Sequence, residues 1–316
     1  MTGIRWPACA AMVVAAMLST SARAEQISAS EAIEKIENLD VATVSFVYGI
    51  YTGIYRANER LVSSHRPSFY CQAAHLPACA SLGRPREVEL RDVMDAILYL
   101  ASTGCQWRQL PKNFPPYSTV QGYFYAWRDE GRWETINHAL VMAAREKDGR
   151  DASPTAGVID SQTAKTCESG GPRGFDAGKK IMGRKRHIVT DTQGHLVGVV
   201  IHAADIQDRD GAPLALSSIR SAYPWLRHVF ADGGYAGPKL EQALAGQGDW
   251  TVEIVKRPHA ANGFVLIARR WVVERTFAWL GRCRRLAKDF EATVESALAW
   301  VYVAHIRRLT RKLARA

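Results

Sequence analysis

Five short apolar runs in the second half of the chain, each closed by an acid or a turn residue, limit its fold most strongly. "AGVIDSQT" runs into Asp160, and "RHIVTDTQGHLVGVVIHAAD" reads as two strands folded back around Gly194. "LRHVFADGGYAG" runs into Asp232 and turns at once on Gly233 and Gly234, while "WTVEIVKRP" is stopped by Pro258. Runs of this length bounded by Gly, Pro and Asp read as strands. "APLALSSIRSAY" and "PKLEQALAGQG" lie between them and read as helices, and a last helix begins near Ala268 and carries Glu274. A strand meander that gives way to strand–helix alternation predicts an α/β domain with a mixed sheet.

In such sheets functional groups gather at the carboxyl ends of strands, where Asp160 and Asp232 are expected. Each alone reads as a turn residue or helix cap. Together with a helix-borne Glu274 they would repel one another unless cations held them, and oxygen-only ligation by a few carboxylates suits Mg²⁺. On a helical wheel Arg270, Glu274, Phe277, Gly281, Arg285 and Lys288 share one face, so the acid can address a metal while its neighbours address phosphate. An Arg270–Glu274 surface ion pair is the plainer reading. It leaves the apolar wall of Trp271, Val272, Val273, Phe277 and Trp279 unexplained, and that wall argues for a helix packed in place.

Upstream, residues 81–150 read as a small helical module. "REVELRDVMDAILYLASTG" carries an apolar stripe of Leu90, Val93, Met94, Ile97 and Ala101 and ends on Gly104. A second helix follows two prolines in "PPYSTVQGYFYAWRDEG", with Ser118 and Gln121 as the expected capping pair, and "RWETINHALVMAAREKDG" reads as a third. Three short helices fit a helix-turn-helix-like DNA reader. A charge of 10 basic against 9 acidic residues fits a plain helical subdomain equally well.

The front of the chain reads differently. Residues 1–24 have Arg5, an apolar run from Ala8 to Leu18 and Ala22-Arg23-Ala24, the three-part pattern of a secretory signal peptide. Residues 25–80 read as an unrelated helical segment and junction. Charge marks the seam: residues 1–62 hold 5 basic and 6 acidic groups, whereas Lys256 to Ala316 hold 14 and 4. The whole chain carries a net +10, which points to a polyanion partner. Six scattered cysteines form no disulfide framework, and Cys71, His75 and Cys79 do not complete a zinc site.

From about Leu82 to Leu309 the sequence resembles the DDE transposases of bacterial insertion sequences, insertion-sequence family five. The resemblance rests on "TGCQWRQLPKNFPP", "GVIDSQTAKT", "GGPRGFDAGKKIMGRKRHIVTDT", "HAADIQDRDGA", "FADGGYAG" and "RRWVVERTFAWLGRCRRLAKDFE". It implies an RNase H-like catalytic domain over residues 151–316 with Asp160, Asp232 and Glu274 as the metal-binding, catalytic triad. It also implies two Mg²⁺ ions, with Mn²⁺ as a substitute, cleavage at element ends and strand transfer into target DNA. The family's glutamate helix commonly reads Y-x2-R-x3-E-x6-K. Arg270 and Glu274 match it, while Ile267 stands for Tyr and Gly281, beside Arg282, for Lys.

Six basic residues, Arg173, Lys179, Lys180, Arg184, Lys185 and Arg186, read as a phosphate-tracking loop beside Asp160, joined by Arg270, Arg282, Arg285 and Lys288 in the last helix. The loop is no P-loop, since Lys180 stands where Ser or Thr would bind Mg²⁺. Asp205, Asp208 and Asp210 form a rival acidic cluster that reads more simply as an acidic turn, and Ser161 lacks the G-x-S-x-G of a hydrolase. The expected partners are double-stranded DNA, as terminal repeats and target, and further copies of the chain; no membrane is expected. The expected compartment is the cytoplasm, which residues 1–24 contradict. Two alternatives stay open: an inactive fusion of a secreted-protein front with a transposase, and an RNase H-like nuclease that cuts without strand transfer.

Overall fold

The computed structural model describes residues 87–168, 170–256 and 267–315. The signal-peptide-like segment, the 25–80 segment and the Cys71–Cys79 pattern lie outside the described residues. Among the described residues six strands make one mixed sheet: β1 (Ala156–Lys165), β2 (Gly174–Asp176), β3 (Ile181–Asp191), β4 (Leu196–Ala203), β5 (His228–Ala231) and β6 (Thr251–Ile254). β1 and β3 pair antiparallel, β3 takes β2 and β4 along its far edge, and β5 and β6 add parallel to β1. This is the α/β architecture expected of an RNase H-like domain: a meander first, then parallel additions through helical crossovers.

Helices cover both faces. α4 (Asp208–Ile219) packs on β4, β3 and β1, and against α5 (Pro238–Leu244). α6 (Ala268–Leu280) packs on β1, β3 and β5, and α7 (Val294–Leu313) on β4. Side chains alternate across a strand, and contacts follow that alternation. Ser161 and Lys185 reach α4, whereas Arg186 reaches the backbone just after α6, at Leu286 and Lys288.

The helical module consists of α1 (Leu90–Thr103), α2 (Tyr117–Asp129) and α3 (Arg132–Lys147). The stripe on α1 is buried at Leu90, Val93, Ile97 and Ala101, and Gly104 closes the helix in the left-handed conformation. The expected Ser118–Gln121 cap does not form. Pro116 is the N-cap of α2 and has no side-chain oxygen to accept from the first amides, and the helix starts at Tyr117, one residue before Ser118. The module shares its core with the C-terminal helix: Phe124 stacks on Trp300 at 4.4 Å between ring centres, and Tyr302 Oη donates to Glu134 at 3.1 Å.

Candidate active site

The carboxylates expected at strand ends owe their positions to strand register. β1 does not stop at Asp160; it runs on to Lys165, because its pairing with β3 continues to Lys165↔Gly183. Its parallel pairing with β5 ends at Val158↔Phe230. Beyond that pair β5 leaves the sheet at Asp232, and Asp160 stands at the same level on β1, beside the gap. Asp232 then caps the tight Gly233–Tyr235 turn, its Oδ1 accepting the Gly234 amide at 2.8 Å.

Glu274 comes from α6, whose Val272, Val273, Phe277 and Leu280 are buried. That burial leaves Glu274 on the exposed side, half of its side-chain surface open at 51%. Arg270, one turn earlier, stands between the acids. Its Nη2 lies 3.6 Å from Asp232 Oδ2 and 3.9 Å from Glu274 Oε1. One guanidinium therefore bridges the strand-borne acid and the helix-borne acid.

Asp160 differs from both. Burial, opposed by the hydrogen bond from the Ser161 amide (2.7 Å) and reinforced by the charge of Asp232, pushes its carboxyl up to about 6. Lys179 draws it down and Asp208 adds to the repulsion. The acid thus sits in the field of two other acids, with Lys179 opposing them. Among the described residues no three His, Cys, Asp or Glu side chains lie close enough to hold a metal ion as they stand.

The basic residues divide into two groups. Arg173, Lys179 and Lys180 are exposed on the loop around β2, and Arg282 and Lys288 are exposed after α6. Arg184, Lys185 and Arg186, expected in the same phosphate-tracking loop, instead lie in β3 with buried side chains. Arg184 pairs with Asp289 at 3.3 Å and donates to the carbonyls of Pro172, Glu291 and Ala292. Lys185 is 2.9 Å from Asp208, and Arg186 donates to Leu286 O at 3.0 Å. Buried in the strand, these side chains spend their hydrogen bonds on partners within the protein and stand away from a DNA backbone.

Arg285 and Lys288 also leave the helical face assigned to them, because α6 ends at Leu280 and a 3-10 turn follows. Arg285 pairs with Glu291 at 2.6 Å and lies over Trp300. The rival acidic cluster is split: Asp205 lies against Gly174, Asp210 pairs with Lys239 at 2.6 Å, and Asp208 joins Ser161 and Lys185. The reading of the sequence passed over that last grouping, although an acid at the start of a helix and a hydroxyl beside Asp160 were its visible signs.

Residues 151–309 match the family model described as "Transposase DDE domain", and residues 69–137 the one described as "Putative transposase of IS4/5 family". The chain is 38% identical over 116 residues to a protein of Burkholderia cepacia described as "Putative transposase for insertion sequence element IS402", covering 34% of this chain and 54% of that one. It is 34% identical over 55 residues to "Uncharacterized protein y4sN" of Sinorhizobium fredii, covering 17% of this chain and 42% of that one. The chain thus spans about half the length of the curated relatives it matches. No solved structure matches it. With the DDE match running from just before β1 to near the end of α7, the chain belongs to the DDE transposases of the IS4/5 family.

Proposed function

We propose that this chain is a transposase that cuts double-stranded DNA at the ends of an insertion sequence and joins the freed strand to target DNA, with Asp160, Asp232 and Glu274 as its catalytic carboxylates. The observation that carries the reading is the bridge from Asp232 through Arg270 to Glu274, with Asp160 level with Asp232 on the adjoining strand.

The donor set suits a hard divalent cation. Every candidate ligand is a carboxylate oxygen, and between Asp232 and Glu274 stands a guanidinium, a positive group where a cation is wanted. Asp160, Asp232 and Glu274 would hold Mg²⁺, or Mn²⁺ in its place, and two such ions would supply an activated water and stabilise the entering and leaving oxygens. The chain's own residues do the rest. Arg270 offsets the repulsion between Asp232 and Glu274 and, with its side chain partly exposed, can receive a DNA phosphate. Arg173, Lys179, Lys180, Arg282 and Lys288 lie exposed to track the phosphate backbone. Such an enzyme works in the cytoplasm and as a homo-oligomer, since two element ends must be handled together. Among the described residues no helix is long and apolar enough to cross a membrane.

The test uses DNA carrying the element's own ends, with cut and joined products measured separately. Asp160→Ala, Asp232→Ala and Glu274→Ala should each abolish Mg²⁺-dependent cutting while DNA binding survives. A Glu274→Ala chain that cuts at the wild-type rate would overturn the reading. Cutting without any joined product would indicate a nuclease on the same fold. A full chain that neither cuts nor joins would leave the inactive fusion.

A further inference from the structure

We propose that Asp208 is a positioning residue for the cleavage site, acting through Ser161 to hold the Asp160 carboxylate in the orientation that receives a divalent cation. The proposal rests on the transposase reading above. Asp208 is the first residue of α4, and its Oδ1 accepts the Ser161 hydroxyl at 2.7 Å while lying 2.9 Å from Lys185 Nζ. Lys185 is fixed in turn by the carbonyl of Ile206 at 2.6 Å. The amide of Ser161 donates to Asp160 Oδ1 at 2.7 Å. Ser161 is thus gripped from the α4 face of the sheet by Asp208, and its own backbone holds one oxygen of Asp160 on the other face. Asp160 Oδ2 is then the oxygen left to turn toward a cation.

The other carboxylate oxygen of Asp208 lies toward the Gly233–Tyr235 turn that Asp232 caps. A Cβ at Gly234 would lie 3.0 Å from Asp232 Oδ1 and 3.7 Å from Asp208 Oδ2. The first turn of α4 is seated closely: a Cβ at Gly211 would lie 2.6 Å from His202 Nε2 and 2.7 Å from His187 Cε1. A larger residue there would lift the turn, and Asp208 with it.

Two plainer roles account for less. An acid in a helix's first turn can simply favour the helix dipole. Here, however, Oδ1 is directed at a lysine and a serine from two strands of the sheet. A packing role would be met as well by apolar residues, since burying Lys185 beside the partly exposed Asp208 costs desolvation that the pair only partly regains. Groups that orient a metal-binding carboxylate do justify that cost, and their loss typically weakens metal binding by about 10–100-fold.

The experiment measures Mn²⁺ binding to the full chain without DNA, by electron paramagnetic resonance, and the Mg²⁺ concentration giving half-maximal cleavage. Ser161→Ala and Asp208→Ala should each weaken Mn²⁺ binding about tenfold and raise the Mg²⁺ requirement by the same factor. At saturating Mg²⁺ the cleavage rate should return close to that of the wild type. Asp208→Asn keeps an oxygen for the serine and should fall between. Wild-type Mn²⁺ binding in folded Ser161→Ala protein would overturn the proposal, and this mild substitution decides the matter if Asp208→Ala does not fold. Asp160→Asn and Asp232→Asn run in parallel. If those two still bind Mn²⁺ and cut, the transposase site itself is misassigned. If they fail while Ser161→Ala and Asp208→Ala behave as wild type, the positioning role alone is wrong.

Discussion

Gly194 of the β3–β4 turn and Thr276 of the helix bearing Glu274 are joined by a hydrogen bond and packed too closely to admit a side chain between them. Thr276 Oγ1 donates to Gly194 O at 2.9 Å, and a Cβ at Gly194 would lie 2.7 Å from that same oxygen. Arg275 adds a bond to Gln193 O at 2.8 Å. Gly194 also sits at φ 85°, where a side chain is strained even with room around it. Gly194→Ala should therefore cost about 1–3 kcal/mol from backbone strain alone, and it should lower cleavage because α6 is pushed away from Asp232. Urea unfolding measures the first effect and a cleavage assay the second. Wild-type stability together with wild-type rate would show the turn and helix to be independent.

Arg184 is the buried counterpart of the exposed phosphate-tracking residues. Its side chain is 0% exposed and its partner Asp289 1%. Removing one member of a buried, hydrogen-bonded pair typically costs about 3–5 kcal/mol, because the other charge is left without compensation. Arg184→Met should destabilise the chain on that scale. Arg184→Met with Asp289→Leu should recover part of the loss, but not all, since the carbonyls of Pro172, Glu291 and Ala292 would still lack a donor. A double-mutant cycle by chemical unfolding checks this; strict additivity would contradict it.

The split among the basic residues shows what the sequence could and could not reveal. Strand periodicity around Gly194, the acids near the β5 gap and the packed helix at Glu274 are local patterns, and each reads directly from spacing. The length of β1 past Asp160 is not local. It depends on pairing with β3 through Lys165↔Gly183, which no feature of "AGVIDSQT" announces. For the same reason "GRKRH" reads from the sequence as part of a phosphate-tracking loop, although it forms the middle of a sheet whose neighbours supply Asp289 and Asp208. Charge in a sequence predicts a surface only while no partner is known to bury it. Arg285 was misjudged in a similar way. The helical wheel assumed α6 continued, whereas it ends at Leu280 and Arg285 folds onto Trp300.

DNA binding should separate the same two groups. Arg282→Ala and Lys288→Ala remove exposed charges, so each should flatten the dependence of log affinity on log salt by about one unit. Arg285→Ala should leave the slope near that of the wild type and lower stability, because it breaks the pair with Glu291 and uncovers Trp300. Affinity measured across a salt series decides between them. A flattened slope for Arg285→Ala with unchanged stability would mean this arginine leaves Glu291 to hold DNA.

Acid should weaken the fold well before the buried Asp191 protonates, and His138 is the residue that tests this. It is buried on α3 with its ring 4.7 Å from that of Tyr223, and Nδ1 has no hydrogen-bond partner. Burial lowers its pKa from 6.5 to about 4. In the window between those values the unfolded chain binds a proton that the folded chain does not, so stability rises with pH and is lost as pH falls. The effect reaches its full size below about 4. His305, buried and held well below its ordinary value first by desolvation and then by the charge of Arg308, acts in the same direction. Asp191 enters only lower. Burial acts to raise its pKa, but hydrogen bonds from His195 and Arg145 outweigh this and hold it below 3.8, so its contribution is lost only as pH falls beneath that value. His138→Phe keeps the ring contact and removes the titration. It should flatten the fall in unfolding free energy by up to about 1.4 kcal/mol per pH unit within the His138 window, while leaving the steeper loss at lower pH in place. Chemical unfolding of both chains at several pH values across that window is the measurement, and parallel curves for wild type and His138→Phe would mean that His138 takes up its proton without leaving the folded state.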